Sequence, residues 1–126
     1  MQESLILKKI MLALGQLKTL RIWRNNTGVL WSGTDIKKLG KDIYIKNAYP
    51  VRFGLEGSAD ILGIIAPDGK FLAIEVKQQR GRQSEKQKNF ENMIKSLGGV
   101  YILAHSPEEA LEKLKVVINV NKTEII

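Results

Sequence analysis

Asp60, Glu75 and Lys77 are the residues whose types and spacing can do chemistry in this chain. They sit in two strand-like runs, Ala59-Asp60-Ile61-Leu62-Gly63-Ile64-Ile65-Ala66 and Phe71-Leu72-Ala73-Ile74-Glu75-Val76-Lys77, on either side of Pro67-Asp68-Gly69. Asp-Gly between apolar runs predicts a β-hairpin. A two-residue turn at Asp68-Gly69 pairs Pro67 with Lys70, Leu62 with Glu75 and Asp60 with Lys77. Directly paired residues share a face, as do residues two apart on one strand, so all three polar groups emerge on one side at the open end of the hairpin. A three-residue turn would set Asp60 against Val76 and turn it away. Ionisable groups in apolar strands are costly unless they are paired or bind something. Two carboxylates beside an ammonium suit a hard divalent cation and, with it, hydrolysis of a phosphodiester. The competing reading is an Asp60–Lys77 ion pair at a sheet edge with Glu75 in solvent.

The elements around these residues can be read from periodicity. Ile6, Ile10, Ala13, Leu14 and Leu17 recur on one helical face and predict a helix over 2–17. Residues 21–24 read as a short strand and Asn25-Asn26-Thr27-Gly28 as a turn. The segment 29–54 reads as an exposed loop or weak hairpin. The two hairpin strands are apolar on both faces, which places them centrally in a sheet covered by helices. Ser84 and Gln87 form an S-x-x-Q capping box, Phe90, Ile94 and Leu97 give the helix behind it a buried stripe, and Gly98-Gly99 ends it. Residues 100–104 follow as a buried strand, in the β-α-β order that favours parallel pairing. Ser106-Pro107 then opens a last helix running to about 118, followed by a short tail. The expectation is one α/β domain spanning 1–126, with a central mixed sheet flanked by helices.

Composition narrows the chemistry. The 126 residues contain no cysteine and a single histidine, His105, which excludes disulfide scaffolds, zinc ribbons, thiol nucleophiles and any mechanism with two imidazoles. His105 follows a buried strand and reads as structural or as a surface residue. Trp23 and Trp31 read as core residues first, with base stacking the less favoured use. Twenty Lys plus Arg against thirteen Asp plus Glu leave +7, a charge that points to a polyanionic partner, nucleic acid before membrane. Basic residues cluster at 18–52, including Arg24, Lys37, Lys38 and Arg52, and at 77–88, including Arg80 and Arg82. A solvated basic face is the default reading of such clusters, and beside a metal site they read as a phosphate track with salt-dependent affinity. No window approaches the roughly 20 apolar residues of a membrane span, and no leader is visible, so a soluble, cytoplasmic protein is expected.

The flanks of the three residues carry a resemblance. Gly57-Ser58-Ala59-Asp60-Ile61-Leu62-Gly63, then Ile74-Glu75-Val76-Lys77, then Ser84…Gln87 ahead of a helix ending Gly98-Gly99, resemble the PD-(D/E)XK nuclease superfamily. The stretch 3–106 is similar in particular to its VRR-NUC branch, which includes stand-alone phage and bacterial proteins. Arg24-Asn25-Asn26-Thr27-Gly28 and Arg52-Phe53-Gly54 match that branch too, while Ala59 stands where the superfamily has proline. The resemblance implies a restriction-endonuclease-like fold and a DNA endonuclease dependent on Mg2+ or Mn2+, without a nucleotide cofactor. It implies Asp60, Glu75 and the Val76 backbone carbonyl as metal ligands, Glu3 as a further acid near the metal, Lys77 as the catalytic lysine and Gln87 as the motif glutamine. By the same resemblance the protein is a homodimer cutting four-way junctions in a bacterial or phage-infected cell. Each assignment has a plainer alternative: Gln87 completes the capping box, Glu3 offsets the helix dipole, and Asn25 and Asn26 make a turn rather than touch a phosphate or base.

Overall fold

The computed structural model describes residues 2–118. In chain order the elements are α1 (Glu3–Leu14), β1 (Leu20–Arg24), β2 (Gly28–Leu39), β3 (Asp42–Phe53), β4 (Ile61–Ile65), β5 (Lys70–Val76), α2 (Glu85–Ser96), β6 (Val100–Ala104) and α3 (Pro107–Val117). The tail expected after the last helix lies outside the described residues. The described residues form two compact units, one of residues 2–25 and 57–118, the other of residues 26–56.

The larger unit holds a four-stranded sheet in the order β1-β4-β5-β6. β1 pairs antiparallel with β4, β4 antiparallel with β5, and β5 parallel with β6 across α2. The sheet is therefore mixed, and its two central strands are the ones whose sequences are apolar on both faces. Ile22, Ile61, Ile65, Leu72, Ile74, Val76, Val100, Ile102 and Ala104 turn to one face and pack with Ile6, Ile10 and Leu14 of α1 and Ala110 and Leu114 of α3. Each fully buried aliphatic side chain of this kind contributes roughly 1.5–3 kcal/mol. On the opposite face Ala73, Tyr101 and Ala59 pack with Phe90 and Ile94 of α2. A mixed α/β layer with helices on both sides is thus in place.

Local chemistry explains where the helices begin and end. The capping box at α2 is complete: the Gln87 N–H donates to Ser84 Oγ at 3.2 Å, and the Ser84 N–H donates to Gln87 Oε1 at 2.9 Å. Ser106 caps α3 by accepting from the Glu109 N–H at 3.0 Å, with Pro107 in the first turn. Two expectations need correction. α1 stops at Leu14 rather than 17, so Leu17 is buried from the connecting segment and not from the helix. α2 stops at Ser96, and Gly98, at φ +88°, turns the chain before another helical turn can form. Leu97 is consequently 80% exposed and does not belong to the buried stripe.

The smaller unit is an antiparallel ribbon of β2 and β3, paired from Gly28↔Phe53 to Leu39↔Asp42. Its register slips on both sides of Thr34. What the sequence presents as a loop or weak hairpin is two long strands, most of whose side chains are exposed. Trp31 is 61% exposed there and Trp23, on β1, 44%, so neither indole is a core residue. Among the described residues no helix is long and apolar enough to cross a membrane.

Candidate active site

The register of the β4–β5 hairpin decides what meets at its open end. The loop has four residues, 66–69, because the Gly69 N–H donates to the Ile65 carbonyl at 2.9 Å and Ile65 pairs with Lys70. The ladder then runs Gly63↔Leu72, Leu62↔Ala73 and Ile61↔Ile74. This corrects the two-residue turn expected from Asp68-Gly69. Leu62 opposes Ala73, not Glu75, and one step beyond the last pair Asp60 comes opposite Glu75, not Lys77. The error is a shift of two residues along one strand, and an even shift leaves every side chain on its original face. Asp60, Glu75 and Lys77 therefore still share the α2 face of the sheet.

Each of the three is held differently. Asp60 Oδ2 accepts a hydrogen bond of 2.8 Å from the Val76 N–H. The N–H and C=O of one strand residue point to the same side, so the Val76 carbonyl is also turned toward Asp60, while its side chain is buried on the α1–α3 face. Lys77 is fixed at its backbone, where its N–H donates to the Ala104 carbonyl at 3.0 Å, and its side chain is half-buried. Among the described residues no ion pair joins it to Asp60. Glu75 is only 2% exposed, and its Oε2 is buried without a hydrogen-bond partner. The reading that leaves Glu75 in solvent is thus overturned.

Electrostatics follow from this packing. Burial pushes the Glu75 carboxyl well above the ordinary carboxylate range, to about 9, and a hydrogen bond with Asp60 and the repulsion of the Asp60 charge add to it. The Lys77 ammonium opposes the shift and Glu3, on α1, adds to it slightly. Without a cation Glu75 therefore keeps its proton at neutral pH. A divalent cation replaces that proton with charge: it would engage the orphaned Glu75 oxygen, Asp60 and the Val76 carbonyl, all hard oxygen donors. The residues present fit such a cation. Among the described residues no group of three acidic or imidazole side chains is placed to hold a metal ion, and Glu3 acts on Glu75 through its charge.

The Asp60 segment is positioned from two sides. The Asn25 N–H donates to the Asp60 carbonyl at 2.8 Å. The Asn25 amide donates to Ser58 Oγ at 2.8 Å and to the Ala59 carbonyl at 2.9 Å. Gly57, at φ +83°, lies so close to α2 that a Cβ there would stand 2.5 Å from the Lys86 carbonyl oxygen. The glycine and asparagine of the sequence motif thus hold the strand that carries the carboxylate.

The other candidates are distributed as follows. Gln87 spends its Oε1 on the capping box. Arg24 ends β1 opposite Ile61, on the α1–α3 face and not on that of Asp60. Arg80 and Arg82 are exposed on the segment after Lys77. Asn26, Lys37, Lys38 and Arg52 belong to the ribbon unit, where all four are exposed. His105 is structural: its backbone N–H and ring Nδ1 both meet Glu109 Oε1, at 2.6 and 2.7 Å, beside the start of α3.

One group escaped the sequence reading. Gln83 Nε2 donates to Glu91 Oε1 and to the Tyr101 hydroxyl, each at 3.0 Å. Its partners lie eight and eighteen residues on, so no local spacing signals the contact. Tyr101 is buried, its ring edge-on to Phe90 with centroids 6.3 Å apart. Burial foremost, with the charges of Glu75, Glu91 and Asp60, raises its hydroxyl so that it stays neutral, although the Gln83 hydrogen bond opposes the shift. No protein-family model and no curated protein matches this chain.

Proposed function

We propose that this chain is a Mg2+- or Mn2+-dependent DNA endonuclease with a restriction-endonuclease-like fold of the VRR-NUC type. The observation that carries the reading is the buried, unpartnered Oε2 of Glu75 directly across from Asp60, with Lys77 next along the same face. An apolar pair at these positions would be more stable than two adjacent carboxylates. Retaining both acids is understandable where a cation completes them.

Asp60, Glu75 and the Val76 carbonyl would hold the cation, which supplies Lewis acidity to the scissile phosphate. Asp60 is oriented for this by its Val76 hydrogen bond, and Glu75 by the strand packing around it. Lys77 presents an ammonium beside the carboxylates, where it stabilises negative charge building on the phosphoryl oxygens and orients the attacking water. Arg80 and Arg82 hold neighbouring phosphates, and the net charge of +7 steers the polyanion to the protein. Selectivity for branched DNA, a homodimer with two symmetric sites, and work in the cytoplasm of a bacterial or phage-infected cell rest on the VRR-NUC resemblance.

The test is cleavage of labelled four-way junction, flap and linear duplex DNA with Mg2+, Mn2+ or EDTA, running Glu75→Ala beside the unaltered chain. Metal-dependent cutting that disappears in the variant is expected. Binding without cutting under every metal would instead make the chain a basic DNA-binding domain.

A further inference from the structure

The six residues between Lys77 and Ser84 are more firmly built than a basic linker needs to be. At one end the Lys77 N–H is tied to the Ala104 carbonyl, and at the other Ser84 closes the capping box. Between them the Gly81 N–H donates to the Gln78 carbonyl at 2.8 Å, closing a tight turn. The turn folds back on Lys77: a Cβ at Gly81 would come within 3.3 Å of Lys77 Cβ. Gln83 then reaches inward to two acceptors on two different elements, Glu91 of α2 and Tyr101 of β6. Both acceptors are themselves fixed. Glu91 Oε2 is paired with Lys95 Nζ at 2.6 Å, and the Tyr101 ring packs against Phe90. Arg80 and Arg82 point outward from this braced turn, and among the described residues neither has an ion-pair partner.

We infer that Gln83 is a positioning residue, a clamp that holds the Gln78–Arg82 turn beside Lys77 so that Arg80 and Arg82 meet a nucleic-acid phosphate on a preformed surface. The identity of the partner rests on the nuclease reading above. The physical gain is in entropy. A floating turn would have to be ordered at the moment of binding, at a cost for each residue fixed, whereas the clamp meets that cost during folding. Gln83 suits the task because its amide donates, and an ionised carboxylate and a buried hydroxyl are both strong acceptors.

The test uses Gln83→Glu, which keeps the shape but replaces the donor with a charge facing Glu91, and the exchange Gln83→Glu with Glu91→Gln, which restores a donor–acceptor pair in reverse. Two readouts are taken on the full chain. The first is trypsin nicking of the Arg80–Gly81 bond under native conditions, followed by mass spectrometry. Nicking should rise about tenfold in Gln83→Glu and fall back to within about threefold of the original in the exchange. The second is affinity for a labelled DNA duplex in EDTA at several salt concentrations. Gln83→Glu should bind about three- to tenfold more weakly with its salt slope unchanged, since both arginines remain, while Arg80→Ala should lower that slope by about one. Unchanged nicking in Gln83→Glu overturns the clamp even if the protein cuts DNA. Raised nicking with unaltered affinity overturns the assigned purpose of the clamp. A protein that neither binds nor cuts DNA overturns the nuclease reading and this use of the turn together, whatever the nicking shows.

Discussion

The Val76 N–H donates 2.8 Å to Asp60 Oδ2, so the carboxylate just ahead of β4 is fastened to the residue immediately after the carboxylate on β5. The bond orients Asp60 without neutralising it. Asp60→Asn therefore keeps an oxygen able to accept from Val76 while losing the charge. Its melting temperature should stay within a few degrees of the unaltered chain, and its Mg2+ affinity by calorimetry should fall about tenfold or more. An unaltered Mg2+ titration would remove Asp60 from the ligand set.

Glu75 gives the metal-free protein a pH dependence of defined sign. Its folded pKa, near 9, lies above that of the unfolded chain, so the folded state binds the proton more tightly. Stability is then greatest at or below the ordinary carboxylate range and declines as pH rises toward 9. Glu75→Gln should flatten that decline in EDTA and melt several degrees higher than the original at pH 8, a difference of about 1–2 kcal/mol. Adding Mg2+ should raise the melting temperature of the original and leave the variant unmoved. Parallel pH profiles for the two proteins would contradict the assignment.

Lys77→Ala should reduce cleavage by about a hundredfold or more while leaving the Mg2+-induced rise in melting temperature intact. Lys77→Arg should not restore the rate, because a guanidinium cannot place a compact charge at the same point. Single-turnover cleavage and thermal melts on the same preparations separate the two roles.

Gly57→Ala tests how Asp60 is held. A methyl group there would sit 2.5 Å from the Lys86 carbonyl, at a φ of +83° that alanine rarely adopts. A loss of about 2 kcal/mol in urea unfolding is expected. Mg2+ affinity should drop as well, since segment 57–60 must move off α2.

Just past the C-terminal end of β6, Glu109 governs the acid limb. Burial works to raise its carboxyl, but the hydrogen bonds from the His105 backbone and ring and from Lys113 outweigh it, and the pKa is lowered. A lowered pKa means stability that is present above the unfolded value and lost as pH falls through the folded one. Glu109→Gln should be less stable than the original by roughly 1 kcal/mol at pH 7. The gap should narrow below about pH 4, where the carboxyl of the original chain is protonated too. Urea titrations at pH 3 and 7 check it.

Much of this architecture could be read from local chemistry. Ser84 with Gln87, and Ser106 with Pro107, mark helix starts by hydrogen-bond stoichiometry that needs no tertiary context. The two apolar runs around Asp68-Gly69 announce a central hairpin, and the shared face of Asp60, Glu75 and Lys77 survived a wrong turn length because the error was even. What stayed hidden depended on distant partners. Glu75 is nearly inaccessible because of strands on both sides, which its own neighbours do not announce. The ribbon was obscured because Gly33 and the register slips around Thr34 break the strict alternation that marks a strand. Leu97 has the right spacing for the stripe, but the helix has ended at Ser96. Gln83 carries no local signal, because its partners lie eight and eighteen residues on.

The two ends of the ribbon leave the sheet at Asn25 and Gly57, and Asn25 is hydrogen-bonded to Ser58 and Asp60. The chain therefore departs and returns at nearly the same place, and the intervening residues behave as a cassette inserted at a junction that is already sealed. Loop-closure entropy grows slowly, by about 0.6 kcal/mol for each doubling of length. Inserts of different size at this junction should therefore differ little in closure cost. Replacing residues 26–56 with a short glycine linker should leave a sheet that still folds and still binds Mg2+. Residues 26–56 are thus where the chain can change in length at little cost in closure entropy.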